Sequence, residues 1–435
     1  MLIGGWGKYP LVEATLVQPV SSDQVRAVFS GNSSFCGIPR GLGRSYGDSS
    51  LAQNIVGLGR LNRFQAFDHK TGLLTCDAGV SFADILDTFI PRGWFPSVTP
   101  GTKHVSVGGA IASDVHGKNH HLKGSFCDHL ISFSIMLGSG DIVSCSPSEN
   151  DDLFRATCGG MGLTGIILDA TFHLQKVKSS FIDETTYKAA NLKECLELFE
   201  TYCDADYSVA WIDCLQQGES LGRSLLMLGK HNEDAGYLDN SKSGPSIPFN
   251  FPSFVLNKYS VSLFNSLYYA KVRSSPQERR VHYGPYFYPL DGIQNWNKLY
   301  GANGFVQYQF AIPRDAGLSG MTHILEKIAA SGAGSFLSVL KAFGKGNDNL
   351  LSFPFDGYTL ALDFKVSRKT FDLLDELDVI VADYGGRVYL TKDARMSEEI
   401  FKKGYPRWEE FQGIREKYGA KEVFSSLQSK RLGLN

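Results

Sequence analysis

Two spacings of apolar residues predict where strands and helices form. A mainly apolar run at residues 130–137 has the length of a strand and predicts one that is buried. Ser21 and Ser81 each precede a segment with helical spacing, and Gln24 or Asp84 three residues later completes a capping pair. We therefore predict a short helix after each serine, in a first region that mixes short helices with short strands.

A second region begins near residues 176–178, where the composition changes. The apolar pattern beyond this point predicts several strands and two helices, which together favour an α+β domain built on an antiparallel sheet. The predicted helices cover residues 192–202 and 368–382, and the predicted strands cover 208–214, 224–228, 304–312, 336–340, 358–364 and 387–391.

The strand predicted at residues 304–312 contains an alternation of apolar and amide side chains. Because successive side chains of a strand point to opposite faces, Gln307 and Gln309 share one face and the apolar residues share the other. The apolar face is expected to pack on a core. The glutamines then face either a polar ligand in a wet cavity or the solvent, and both interpretations stay open.

Composition narrows the class of protein. The 435 residues are 43% hydrophobic and 20% charged, as in a globular protein of two or three domains. The net charge of −2 argues against a nucleic-acid-binding protein, which carries a basic excess. All eight cysteines lie between Cys36 and Cys214 without paired spacing, so we expect a reducing compartment and neither disulfides nor a metal site. No segment resembles a membrane span or a signal peptide.

The most informative motif places Gly41, Gly43 and Gly47 in the spacing Gly-x-Gly-x-x-x-Gly. Glycines let the backbone turn sharply and present its N–H groups to an anion, while Arg40 and Arg44 add positive charge. We therefore predict a cradle for a diphosphate. The spacing and the flanking elements differ from the Gly-x-Gly-x-x-Gly unit of nicotinamide-binding folds, so the loop belongs to another class of dinucleotide site.

Two further glycine clusters lie at residues 100–113 and 159–166. Each of them alone is typical of an ordinary tight turn. One extended cofactor that crosses all three loops would explain the three clusters together, and this is the interpretation we prefer.

These motifs together resemble the flavoprotein family of vanillyl-alcohol oxidase and p-cresol methylhydroxylase. The resemblance covers nearly the whole chain and includes the first glycine loop, Gly-Gly-Ala-Ile-Ala at residues 108–112, His-Gly-Lys-Asn-His-His at 116–121 and Leu-Thr-Lys-Asp-Ala-Arg at 390–395. It implies a two-domain α+β fold. The implied parts are an FAD-binding domain at residues 1–178, a substrate domain at 179–386 and a C-terminal segment at 387–435 that returns to the first domain.

The resemblance also implies an activity and partners. Within the family, the chain is similar to oxidases in which FAD takes a hydride from C2 of the ribose of a polyprenyl-phosphoribose, giving a 2-keto sugar. A separate NAD-dependent short-chain reductase would then form the arabinose epimer. The expected place is the cytoplasm, with peripheral contact to the inner membrane. An FAD-dependent aldonolactone or alditol oxidase, and a flavin-binding protein without catalysis, stay open as alternatives.

The resemblance assigns individual residues to the site. Lys392 is the first candidate for the catalytic group, as a base or as a polarising cation, and His116 and Tyr46 are expected beside it. The expected cofactor-binding residues are Arg40, Gly41, Leu42, Gly43, Arg44, Ser45, Tyr46, Gly101, Thr102, Gly108, Gly109, Ala112, His116, Gly117, Gly162, Ile167 and Tyr389. The expected substrate-binding residues are Gln307, Gln309, Lys341, Lys118 and Trp211.

Three positions depart from the pattern of particular relatives. Relatives that bind flavin covalently through the first loop carry a His where this chain has Arg44, which implies dissociable FAD, with His116 as the residue to check. Ala361 stands where a Cys is usual, so turnover does not need that thiol and inhibitors that bond to it should act weakly. Thr359 replaces the usual Asn, which leaves some substrate contacts open.

Residues 249–296 are rich in aromatic side chains, with Lys271, Arg273, Arg279 and Arg280 among or near them. Aromatic and basic residues suit the interface of a membrane with anionic headgroups, where a lipid-linked substrate would reside. A loop that packs on its own domain is the alternative.

Overall fold

A computed structural model describes residues 1–29, 35–234, 236–237, 245–252 and 257–435 of the protein. The N-terminal part alternates short strands with short helices, as the apolar spacing predicts. Its elements are β1 (Leu2–Gly4), β2 (Leu11–Glu13), β3 (Thr15–Val17), α1 (Ser22–Ala27), β4 (Ile38–Arg40), β5 (Asn54–Gly57), β6 (Phe64–Asp68), β7 (Leu73–Asp77), α2 (Phe82–Phe89), β8 (Trp94–Pro96), α3 (Val107–Ala112), α4 (His120–Lys123), β9 (Leu130–Met136), β10 (Ile142–Cys145), α5 (Asp151–Thr157) and β11 (Ile166–Lys176).

Two sheets position the glycine-rich loops. Strands β3, β5 and β4 form a parallel sheet, and β10, β9, β11, β7 and β6 form an antiparallel sheet in which β8 also pairs with β11. The predicted cap of α2 is present, because the Ser81 hydroxyl accepts the backbone N–H of Asp84 (3.0 Å) and the Asp84 carboxylate accepts that of Ser81 (3.1 Å). The glycine clusters follow β4, lead into α3 and follow α5.

The second part is built on one large sheet. Its elements are β12 (Phe181–Ala189), α6 (Leu192–Thr201), β13 (Tyr207–Ile212), β14 (Ser224–His231), α7 (Lys258–Ala270), β15 (Gln277–His282), α8 (Tyr283–Phe287), β16 (Phe305–Pro313), α9 (Gly317–Ser331), β17 (Ser338–Phe343), β18 (Gly357–Lys365), α10 (Arg368–Asp383) and β19 (Arg387–Val388). All eight strands pair antiparallel in the order β15-β12-β14-β13-β17-β18-β16-β19. Helices α6, α9 and α10 pack against this sheet.

The alternation in β16 separates a face that packs in the core from a face that lines a cavity. Val306, Tyr308 and Phe310 pack in the main hydrophobic core. Gln307 and Gln309 line a cavity, and Gln309 is only 4% exposed. The face that carries the glutamines is therefore the wall of a cavity rather than an open surface.

Three C-terminal helices follow, α11 (Glu398–Gly404), α12 (Trp408–Lys417) and α13 (Leu427–Arg431). Helix α11 packs on β19 and α10, whereas α12 packs on α5 and α13 also contacts the N-terminal part. Gly37 and Phe424 form an isolated bridge, and the Arg431 guanidinium pairs with Asp48 at 2.8 Å. The predicted strand at 387–391 is shorter, because only β19 pairs with β16. The three predicted domain ranges stay predictions. Among the described residues, no helix has the length and apolarity to cross a membrane.

Candidate active site

A cavity of about 1050 Å³ lies between the glycine-rich loops and the large sheet. Its size is at the upper end of small-molecule sites, which span about 300–1,000 Å³. All residues that the sequence analysis assigned to catalysis, cofactor or substrate line this cavity, although they come from separate elements of both parts of the chain. The structure therefore brings the predicted residues together, while their individual roles stay predictions.

The loop after β4 turns sharply at Gly43, whose φ of 65° lies in the left-handed region that favours glycine. A Cβ at this position would also collide with the guanidinium of Arg40. That guanidinium donates to the carbonyl of Gly4 (2.7 Å) and to the hydroxyl of Ser50 (3.1 Å). Arg40 therefore holds the loop in shape, a role that the sequence analysis did not assign to it.

The same loop offers a row of backbone donors. Among the described residues, no hydrogen bond uses the N–H groups of the five consecutive residues Gly41, Leu42, Gly43, Arg44 and Ser45. Free N–H groups on consecutive residues of a loop that lines a cavity suit an anion with several oxygens, because they can donate to it together. The diphosphate of FAD fits this requirement.

Arg44 lies beside the cradle. Its Nε donates to the carbonyl of His104 (3.2 Å), and its guanidinium lies 4.3 Å from the centre of the Trp6 ring. This cation–π contact places Trp6 in the cavity wall. The sequence analysis does not assign Trp6 to the site, although the Gly-Trp-Gly run at residues 5–7 is a signal that could have found it.

The second glycine cluster lines the cavity through positions without bulky side chains. A Cβ at Gly101 would meet open space, whereas one at Gly108 would lie 3.0 Å from the Cβ of Ala78. Gly108 therefore lets α3 approach the segment around Ala78 closely. Thr102 donates its hydroxyl to Asp291 (2.8 Å), which joins this loop to the second part. Gly109, Ala112, Gly117, Gly162 and Ile167 also line the cavity.

His116 is buried among rings at the cavity wall. Its ring centre lies 4.8 Å from that of Phe343 and 5.2 Å from that of Tyr389, and its Nε2 lies 3.1 Å from Nε2 of Gln309. Burial and the charge of Lys341 hold the pKa of His116 well below its usual value, so the imidazole is neutral near pH 7. Its Nδ1 is buried and has no hydrogen-bond partner among the described residues.

The other two histidines of the motif have structural contacts. His120 Nδ1 accepts the backbone N–H of Gly344 (3.2 Å), and His121 Nε2 lies 2.7 Å from the carbonyl of Ala205. Within the described ranges, no cluster of His, Cys, Asp or Glu side chains is arranged to hold a metal ion.

Three lysines line the cavity. Lys392 follows β19, and its Nζ lies 4.1 Å from the centre of the Tyr46 ring. Burial lowers the pKa of Lys392 to about 8, against the opposite effect of Asp363. Burial also lowers the pKa of Lys118 to about 8, and burial with the charges of Lys392 and Lys118 lowers that of Lys341 to about 7. Cations that share a cavity in this way favour an anionic occupant.

Asp363 is a functional candidate that the sequence analysis missed. It lies opposite Gln307 in the pairing of β16 with β18 and accepts the Gln307 Nε2–H at 2.7 Å. The same Gln307 nitrogen lies 3.3 Å from the Tyr46 hydroxyl. Burial raises the pKa of Asp363 to about 7. A lone carboxylate in the otherwise apolar segment of β18 was the available signal.

The remaining wall comes from strands of the large sheet. Trp211 donates its indole N–H to the carbonyl of Phe336 (3.2 Å), so its ring offers an apolar surface. Ala361 lines the cavity opposite Gln309 in the register of β16 and β18, and no thiol is present there. Thr359 contacts Gln309 (3.2 Å) and donates to the carbonyl of Phe310 (2.8 Å).

Comparisons with known proteins show the family of the chain. The FAD binding domain family matches residues 14–146. The decaprenylphosphoryl-beta-D-ribose oxidase of Mycolicibacterium smegmatis is 35% identical, over 99% of this chain and 97% of that protein. L-gulonolactone oxidase of Mus musculus is 25% identical, over 96% of this chain and 95% of that protein.

These relationships have different weights. Both matches cover nearly the full length of both proteins. The identity to the lactone oxidase is 25%, and the identity to the ribose oxidase is 35%. The first glycine loop, with its row of free donors, falls inside the matched FAD binding domain. The chain therefore belongs to the family of the decaprenylphosphoryl-beta-D-ribose oxidases, flavoproteins with an FAD binding domain.

Proposed function

We propose that the protein oxidises the 2-hydroxyl of a polyprenyl-phosphoryl-β-D-ribose to the 2-keto sugar with dissociable FAD. The observation that carries this proposal is the presence of two anion-binding features on one cavity. The glycine cradle accounts for the diphosphate of the cofactor, and Lys118 and Lys341 on the same cavity remain for a second anion. The phosphate of a lipid-linked sugar supplies that anion, whereas a free lactone or alditol has none.

The reaction breaks the C2–H and O–H bonds of the ribose and forms a C=O bond. When bound, FAD supplies the acceptor for the hydride that leaves C2. Lys392 is the residue that we assign to the hydroxyl proton, since its lowered pKa leaves a large unprotonated fraction near pH 8. Its Nζ accepts that proton. Lys341 pairs with the phosphate, whose negative charge stabilises the protonated lysine, and neutral His116 forms part of the cavity wall.

Anaerobic mixing of the purified FAD-loaded protein with candidate sugars tests the activity. We expect flavin absorbance to bleach with polyprenyl-phosphoribose and to stay unchanged with L-gulono-1,4-lactone or alditols. Bleaching by the lactone would support the first alternative enzyme. An absence of bleaching by any sugar would support a flavin-binding protein without catalysis.

Acid precipitation tests how the cofactor is held. Arg44 cannot form the linkage that a His in this loop forms, so we expect the yellow colour in the supernatant. Colour that stays in the pellet would overturn this part of the proposal. Loss of that colour from the pellet in His116→Ala would then identify His116 as the attachment point.

The keto sugar needs a second enzyme. We propose that a separate NAD-dependent short-chain reductase consumes it from the opposite face and forms the arabinose epimer for surface polysaccharide, at the cytoplasmic side of the inner membrane. The chemistry supports this partner, because epimerisation at C2 requires the carbonyl to be reduced again. A reconstituted mixture should oxidise NADH only when both proteins and the phosphoribose lipid are present.

A further inference from the structure

One helix of the second part exposes a continuous apolar stripe. On α7, Tyr259 is 85% exposed, Leu263 63%, Leu267 64% and Phe264 43%. Residues 259, 263 and 267 are spaced by four and therefore lie along one side of the helix. Single exposed apolar residues are ordinary, but four on one helix form a patch of the kind that marks an interaction site.

The opposite side of α7 is firmly held. Val261 is 4% exposed, and Asn265 donates its amide to Asp213 at 2.8 Å. The Tyr269 hydroxyl donates to the carbonyl of Ala189 (3.2 Å). These contacts fix the rotation of the helix about its axis. The apolar stripe therefore faces outward, because the opposite side of the helix packs on the protein.

The stripe continues into the cavity of the active site. Phe264 and Tyr268 line that cavity, and Ile293, which is 37% exposed, lines it from another segment. The ring centres of Phe264 and Phe336 lie 5.8 Å apart, and Phe336 also lines the cavity. An apolar path therefore connects the cavity with the exposed side of α7.

Basic residues flank the stripe. Lys258 and Lys271 lie at the two ends of α7, Arg273 follows, and all three are exposed. Lys271 Nζ lies 3.4 Å from the centre of the Tyr268 ring. A basic rim around an apolar stripe complements a surface with apolar interior and anionic headgroups.

Two arginines of the predicted basic segment do not join this rim. Arg279 pairs with Glu184 at 2.7 Å and Arg280 with Asp183 at 3.4 Å, so their charges are largely compensated. The basic character is therefore concentrated at the ends of α7 rather than spread along the whole segment.

We propose that α7 docks on an anionic lipid membrane, with Tyr259, Leu263, Phe264 and Leu267 inserted at the interface. This inference rests on the proposed function, because the tail of a lipid-linked sugar then passes from the bilayer over Phe264 and Tyr268 into the cavity. A membrane is favoured over a protein partner because the stripe is continuous with the site where such a tail must enter.

Flotation of the FAD-loaded protein with phosphatidylglycerol–phosphatidylcholine vesicles tests the docking. The double variant Leu263→Ser/Leu267→Ser is expected to bind at least about tenfold more weakly than the parent. The matched control Leu318→Ser/Val379→Ser changes residues of similar exposure (43% and 52%) on α9 and α10 and should float like the parent. Lys271→Gln is expected to weaken binding to these anionic vesicles about fivefold, and to leave binding to pure phosphatidylcholine vesicles unchanged.

Two kinds of substrate separate a failure of docking from a failure of the proposed function. A short-chain, detergent-dispersed phosphoribose should bleach the flavin of the parent and of Leu263→Ser/Leu267→Ser equally, because neither leucine lines the cavity. The same sugar with a long tail in vesicles should be oxidised more slowly by the variant. Parent protein that bleaches with the short-chain sugar but does not float would overturn the docking alone.

Other occupants of the stripe give distinct results. A dimer that dissociates in Leu263→Ser/Leu267→Ser, or a reductase that binds the parent but not this variant, without flotation, would overturn the membrane proposal in favour of a protein interface. Unchanged flavin absorbance and melting temperature in the variant exclude misfolding as the cause.

Discussion

At the scale of residues, the site balances buried lysines against nearby carboxylates, of which Glu184 acts on Lys118 and Asp363 on Lys392. Lys118, Lys341 and Lys392 line the cavity, and desolvation lowers the pKa of each. Asp363, reached through Gln307, is the carboxylate whose charge acts on Lys392. The charge that acts on the protonation of Lys392 therefore comes from a neighbour in space, on β18.

Replacement of Lys392 tests the assigned proton acceptor. Lys392→Met should slow anaerobic flavin reduction by the phosphoribose lipid about 10²–10⁴-fold, the usual contribution of a positioned acid or base. The FAD spectrum should persist, because the cradle is untouched. Lys403 forms an exposed ion pair with Glu399 (3.1 Å), so Lys403→Met is the matched control. Its flavin should be reduced at the parental rate. A parental rate in Lys392→Met would remove Lys392 from the mechanism.

The pH profile gives a signed prediction. As a base, Lys392 acts unprotonated, so the rate of flavin reduction should rise with pH through about 8 and then level. Asp363 stabilises the charged lysine, so Asp363→Asn should shift the midpoint to lower pH. Lys341 and His116 also act on this cavity wall and are unchanged in the variant.

An exposed residue of the same type is the control for this shift. Asp372→Asn, on the outer side of α10, should leave the midpoint in place. A midpoint that rises, or that stays put in Asp363→Asn, would contradict the electrostatic link. A rate that falls with pH would show that Lys392 acts as a protonated, polarising group instead.

At the scale of elements, the glycine loop after β4 depends on one backbone conformation. Gly43 combines a left-handed φ with close packing on Arg40, which in turn holds Gly4 and Ser50. The row of free N–H groups exists only while this turn is maintained. The cradle is thus a property of the loop and its anchor rather than of any one side chain.

Gly43→Ala tests the cradle. The left-handed conformation costs an alanine about 1–2 kcal/mol, and displacement of Arg40 adds to this, so FAD content after purification should fall several-fold. Absorbance at the flavin maximum and titration with FAD measure the change. Gly413→Ala, inside α12 with no neighbour within 4 Å of the added Cβ, should keep full FAD content. Full FAD content in both variants would show that the turn does not set binding.

At the scale of the whole molecule, ion pairs of Arg431 join the C-terminal helix α13 to the segment after the first glycine loop. Arg431 on α13 pairs with Asp48 (2.8 Å), which follows the glycine loop, and with Asp393 (2.9 Å), which follows Lys392. One guanidinium thus connects the segment after the first glycine loop with the segment that carries Lys392. The two segments are more than 300 residues apart in the chain, so only the folded molecule brings them together.

Arg431→Leu tests the contribution of these ion pairs to stability. The substitution leaves two buried carboxylates without their cation, and we expect the free energy of unfolding to fall by about 3 kcal/mol, together with FAD retention. Chemical denaturation followed by flavin and tryptophan fluorescence measures both. Arg155→Leu removes an exposed pair with Asp151 (3.0 Å) and should cost well under about 1 kcal/mol. Equal losses in the two variants would refute a special role for Arg431.

The sequence by itself determined what acts over short distances. The cap of α2 at Ser81, the alternation in β16 and the turning glycines near Gly43 follow from hydrogen bonds and side-chain directions within a few residues. Family resemblance added the residues that line the cavity. Such features are readable because their physical causes lie within one turn or one strand.

Only the tertiary structure decided which distant groups meet. That Arg40 anchors Gly4, that Asp363 faces Gln307 and that α7 turns its leucines outward depends on strand register and packing across the chain. A residue's burial, and with it the pKa of Lys392 or Asp363, depends on everything packed around it. These properties depend on long-range contacts, so no local pattern in the sequence could reveal them.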